Sequence, residues 1–227
     1  MDETLRIARK EFGGFFASPA AFLFLGAFLA VTLFVFFWVE TFFARNIADV
    51  RPLFQWMPVL LIFLVAALTM RAWSEERRAG TLESLLTSPV RPLQLVLGKF
   101  LAGLALVAVA LLLTVPLPVT VALLGPLDWG PVIGGYIGAV LLGAAFSAVG
   151  LFSSALTRNQ IIAFIIGLAI CFALTLIDKL LYFLPRTMLG IFAYLGADFH
   201  FQNIAKGILD TRDILYFASV CFLGLYA

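Results

Sequence analysis

The sequence predicts an all-α, polytopic membrane protein with six transmembrane helices, an N-terminal interfacial helix, a short cytoplasmic helix between spans two and three, and short external helices before the last span. Three observations carry this reading. Hydrophobic residues fill 63% of the 227 positions and charged ones only 12%, whereas a soluble domain carries about 25% charge to cover its wet surface. Mean hydropathy is +1.08. Five uncharged runs are long enough as helices to cross the roughly 30 Å hydrocarbon core. A net charge of +2 is too small to imply nucleic acid, and a 24.8 kDa chain this apolar has no room for a separate catalytic domain.

Residues 4–16 place Leu5, Ala8, Phe12, Phe15 and Phe16 at helical spacing opposite Arg6, Arg9 and Lys10, a basic amphipathic helix suited to the membrane interface. The next run, 20–39, is uncharged and forms span one; it is long for a signal peptide and no cleavage pattern follows it. A polar interval, 40–51, leads to span two at 52–70, and a charged stretch, 71–91, leads to span three at 100–124, with Pro116 and Pro118 near its far end. Span four, 132–156, carries small residues at Gly134, Gly138, Gly143, Ser147 and Gly150, faces on which another helix can pack closely. Span five, 161–177, follows after only residues 157–160. Residues 178–213 are apolar pieces broken by charges and prolines, and read as short helices on or dipping into the far side. The final run, 214–227, begins a sixth span but falls short of a bilayer, so about six or more further apolar residues are expected beyond it. Cys171 and Cys221 lie inside apolar runs and read as small buried hydrophobes.

Basic residues orient the chain. With the N-terminus inside, the inner segments hold Arg6, Arg9, Lys10, Arg71, Arg77, Arg78, Arg91, Lys99 and Arg158, against Arg45, Arg51, Lys179, Arg186, Lys206 and Arg212 outside. The excess favours a cytoplasmic N-terminus. The five complete runs contain no Asp, Glu, Lys, Arg or His, which disfavours proton- or ion-coupled transport, since such transporters bind the driving ion through polar groups in mid-membrane. An intramembrane protease is disfavoured because no HExxH occurs, and no Walker A pattern is present. Energy is therefore expected from another subunit, with no catalytic residue, cofactor or metal site in this chain.

The segment RAWSEERRAGTLESLLTSP, residues 71–89, reads as two helices meeting at a corner. Gly80 can take the left-handed conformation that ends a helix, with Arg77 and Arg78 suiting the negative end of the first dipole. Thr81 restarts the chain as an N-cap, Glu83 suits the positive end of the next helix, and Leu82, Leu85 and Leu86 form an apolar stripe. This leaves Glu83, Ser84 and Thr87 facing the cytoplasm. A solvated loop of alternating charge is equally consistent with these residues alone.

EERRAGTLESLLTSPVRPLQLVLGK, residues 75–99, together with ARKEFGGFFASPAAF, residues 8–22, resembles the permease subunits of type-2 ABC transporters over nearly the whole chain. HFQNIAKGILDTRDILYF, residues 200–217, is most similar to the gliding-motility-type and nitrous-oxide-reductase-maturation-type branch. The resemblance implies a half-transporter in a bacterial inner membrane: two permeases, identical or related, paired on two separate ATP-binding subunits that hold ATP and Mg. Residues 81–87 would be the coupling helix, with Gly80 at its root, and residues 157–160, including Arg158 and Asn159, a second, smaller contact. An exporter is the first expectation. The alternative is a subunit passing ATP-driven motion to an extracytoplasmic partner protein; a passive channel is weaker, since the spans offer little pore lining beyond scattered Ser and Thr. His200, the only histidine, reads as a satisfied polar residue capping an external helix.

Overall fold

A computed structural model describes residues 2–82, 90–177, 194–208 and 210–226. The described residues are helices and their connections, with no strand among them. In chain order they are α1 (Asp2–Phe16), α2 (Pro19–Phe34, continued by a π-helical turn, Val35–Val39), α3 (Phe42–Arg45), α4 (Arg51–Thr69), α5 (Ser74–Ala79), α6 (Pro92–Leu112), α7 (Pro116–Leu124), α8 (Trp129–Leu156), α9 (Gln160–Leu176), α10 (Ala197–Ala205) and α11 (Thr211–Tyr226). Four stretches are long and apolar enough to cross a membrane: Pro19–Arg45, Arg51–Ala79, Pro92–Leu124 and Trp129–Leu156. The α9 helix is apolar but shorter, at 17 residues, and α11 has 16.

The expected boundaries shift where polar residues join the helices. The third helix starts at Pro92, two turns before the uncharged run, because Pro is preorganised for a first helical turn and Gln94 bonds back to the Arg91 N–H at 3.1 Å. Lys99 thereby lies inside the helix. At the entrance to α2, Ser18 accepts from the Ala20 N–H at 3.3 Å and Pro19 occupies the first helical position. Asp128 and Asn159 cap α8 and α9 in the same way, accepting from Gly130 and Ile161.

The centre of the fold is α8, against which α4, α6, α9, α10 and α11 all pack. Lipid tails are as apolar as leucine, so such packing depends on close approach rather than on expelling water. The small residues supply it. A Cβ placed on Gly134 would lie 2.3 Å from the Ile204 carbonyl oxygen of α10, and one on Gly138 would press on Phe201 and Ile204. Gly143 admits Val107 of α6, Ser147 lies against Gly103, and Gly150 admits Thr69 of α4. Gly135, not singled out in the sequence, receives the Phe54 ring, and Gly224 of α11 sits on the Ala148 backbone.

The N-terminal helix packs along α6. Arg6, Arg9 and Lys10 are exposed as expected, and Ala8, Phe12, Phe15 and Phe16 face inward together with Ile7 and Glu11, whereas Leu5 is turned outward. At the opposite end, α10 is no surface helix, because Phe201 and Ile204 are fully buried against α8.

These approaches set a stability expectation. Gly134→Ala should lower stability by about 1 to 3 kcal/mol, because the methyl group meets backbone that cannot swing aside. Gly26→Ala, on a stretch of α2 with nothing within 4 Å, should be neutral or gain about 0.5 to 1 kcal/mol from helix propensity. Thermal unfolding of the two variants in one detergent compares them directly.

Candidate functional site

The ends of α2, α4, α6 and α8 nearest α1 form one face of the bundle, where the charged residues between spans two and three collect. Its anchor is Lys99, whose side chain is 3% exposed. The ammonium lies 3.1 Å from Glu11 Oε1 of α1 and 2.7 Å from Glu76 Oε1 of α5, and 4.9 Å from the centre of the Trp73 ring. One buried charge thus fixes three helices relative to one another. Opposite charges at this depth hold only when paired, and the aromatic face adds further attraction.

From this anchor the chain runs through α5 to a sharp corner. Gly80 has φ +70° and ψ 11°, the left-handed conformation that closes a helix, and the Thr81 N–H donates to the Glu76 carbonyl at 3.1 Å. The Thr81 hydroxyl also points back to that carbonyl, at 3.4 Å. Leu82 is helical. Glu83, Ser84, Leu85, Leu86 and Thr87 lie outside the described residues.

The other end of α5 is held by Ser154, on the last turn of α8. Its hydroxyl oxygen accepts from the Trp73 and Ser74 N–H groups at 3.0 and 3.1 Å and donates to the Met70 carbonyl at 3.0 Å. One side chain therefore satisfies backbone groups left open where α4 ends and α5 begins. Three residues later Thr157 accepts from the Asn159 N–H, and Asn159 caps α9. The Asn159 oxygen is thus engaged within the fold. The consequence of the Ser154 link is geometric: Arg77, Arg78, Gly80 and Leu82 line a concavity of about 600 Å³ together with Arg158. Both inner segments singled out in the sequence open onto this basic hollow, and its three arginines form no ion pair among the described residues.

The far end has its own buried polar centre. His200 Nδ1 of α10 is 2.6 Å from Asp213 Oδ1 of α11, and Nε2 is 2.9 Å from the Tyr194 carbonyl oxygen. A carbonyl only accepts, so the Nε2 contact has the ring nitrogen as donor. The ring stacks on Tyr216 at 4.2 Å. No group of metal-ligating side chains occurs among the described residues, and His200 joins two helices rather than capping one. Lys99 and Ser154 were not singled out by sequence reasoning; the available signal was opposite charge at the borders of three apolar runs meeting at one membrane face.

Long apolar helices packed on a small-residue centre, with a charged, cornered connection at one end, define a multi-pass membrane protein. Residues 17–219 match the family model for ABC-2 family transporter proteins. The chain belongs to that family, whose permeases work with an ATP-binding subunit. No curated protein matches the chain.

Breaking the anchor tests its weight. Lys99→Met leaves two carboxylates facing each other at the bundle edge and should lower stability by about 3 to 5 kcal/mol. Adding Glu76→Met should restore most of that loss, because the buried pair is then replaced by packed apolar groups. Unfolding temperatures of the single and double variants provide the check.

Proposed function

We propose that this chain is the permease of an exporter-type ABC transporter of a bacterial inner membrane, with its N-terminus in the cytoplasm. Two copies, or one copy and a related permease, would pair on two separate ATP-binding subunits. The helices α9 and α11 are read as the fifth and sixth crossings, and the gliding-motility-type and nitrous-oxide-reductase-maturation-type permeases as its nearest branch. The chain itself is read as non-catalytic, with ATP and Mg held by the partner.

The observation that supports this most is the convergence of Gly80, Leu82 and Arg158 on one basic hollow. A partner inserting there would touch the segment between spans two and three and the turn between spans four and five at once. Movement of that partner would be passed rigidly in two directions: through Ser154 into α8, and through Glu76 and Lys99 into α6 and α1. The uncharged span interiors support an energy source outside the membrane. The hollow's charge fits an acidic surface on the ATP-binding subunit, to which Arg77, Arg78 and Arg158 offer planar, bidentate donors.

Gly80→Val isolates the corner, since open space surrounds the position and the penalty is conformational, about 1 to 2 kcal/mol. It should weaken co-purification of the ATP-binding subunit while membrane insertion is retained. Arg158→Glu should do so through charge alone and leave unfolding temperature unchanged, and Ser154→Ala should reduce coupled ATP hydrolysis by loosening α5 from α8. Full binding and hydrolysis in all three variants would remove this face as the energy-receiving site. Hydrolysis by the isolated chain in liposomes would overturn the non-catalytic reading.

A further inference from the structure

Beside the Lys99 anchor, between α1, α2, α4 and α5, lies a cavity of about 400 Å³ with one charged and one apolar wall. The charged wall holds Glu11, Glu75 and Glu76 against Arg71 and Lys99. Lys99 is occupied by Glu11 and Glu76. Arg71 and Glu75, one helical turn apart and exposed, form no ion pair among the described residues. Glu76 Oε2 is buried with no hydrogen-bond partner among them, which adds negative potential to a wall that already carries more carboxylates than cations.

The apolar wall, Phe24 and Ala67, is shared with a second cavity of about 610 Å³ that is lined by apolar side chains and opens between α2, α4 and α9. From Met70 to Leu60 this groove follows α4 for about 15 Å at the helical rise. That is half of the roughly 30 Å hydrocarbon core, the depth of one leaflet. Val31 and Phe164 border it, and each sits on a helix that enters the membrane from the same face.

We propose that the joined cavities bind one phospholipid with a primary-ammonium headgroup, of the ethanolamine class, from the leaflet in which α1 lies. The phosphate meets the Arg71 guanidinium, the ammonium meets Glu75 within the negative field of Glu76, and one acyl chain fills the groove. The excess of carboxylates disfavours a purely anionic headgroup. The need for N–H donors disfavours a quaternary one, which offers a carboxylate no hydrogen bond. The site shares Glu76 and Lys99 with the path by which α5 reaches α6 and α1, but its test alters neither of them, nor the Gly80 corner or Arg158, so it can fail without the coupling role failing.

The test is native mass spectrometry of the full chain, delipidated in detergent and titrated in parallel with dioleoyl phosphatidylethanolamine, phosphatidylcholine and phosphatidylglycerol. The ethanolamine lipid should bind about tenfold more tightly than either of the others, the size of one charge-assisted hydrogen bond. Arg71→Ala with Glu75→Gln should erase that preference at unchanged helix content, and Val31→Trp should weaken all three lipids alike by filling the groove. Equal binding of the three lipids, preference for the glycerol lipid, a preference that survives the double substitution, or a dimer of the chain that excludes lipid from the groove would each overturn the assignment.

Discussion

A single ammonium group, that of Lys99, sets the relative positions of the helices at one face of this bundle. Apolar spans in a bilayer gain little from touching one another rather than lipid, so their rotation and depth are weakly specified by hydrophobicity. A charge held between two carboxylates is specific in a way that leucine against leucine is not. Because Glu11 belongs to α1, Glu76 to α5 and Lys99 to α6, sliding or turning any of the three separates opposite charges in a poorly solvated place. The pairing is accordingly better understood as a device for register than as a large gain in stability.

Packing on α8 answers the complementary need for contact area. Its glycines are distributed over several faces: Gly134 and Gly138 admit α10, Gly143 admits α6, and Gly150 admits α4. A helix that receives neighbours on several sides cannot satisfy them with one small-residue stripe, which explains why the pattern in the sequence drifts around the helix instead of repeating at one spacing. The last turn of the same helix carries Ser154, so the element that organises the interior also holds the connection between α4 and α5. Interior and charged face are therefore mechanically continuous.

The four stretches long enough to cross a membrane were legible in the sequence because length and lack of charge suffice to mark them, and the corner at Gly80 because left-handed backbone has a strong residue preference. Lys99 was not, because residues 11, 76 and 99 each look like ordinary topological charges until the fold brings them together. Ser154 was hidden for a related reason: a serine near a span end is unremarkable, and its importance lies in backbone groups more than 80 positions away. Burial of α10 was missed because Asp198 and His200 read as exterior, whereas each is buried with hydrogen-bonded partners. In each case the missing information was a long-range polar contact, which composition and periodicity do not encode.

The His200–Asp213 contact has a consequence for how α10 and α11 can move. Both side chains are 4% exposed, so separating them would leave a buried carboxylate and a buried ring nitrogen without this partner. An unmade buried polar contact costs the full desolvation of its groups, which sliding the two helices together avoids. Rearrangement at this end would therefore carry α10 and α11 as one piece.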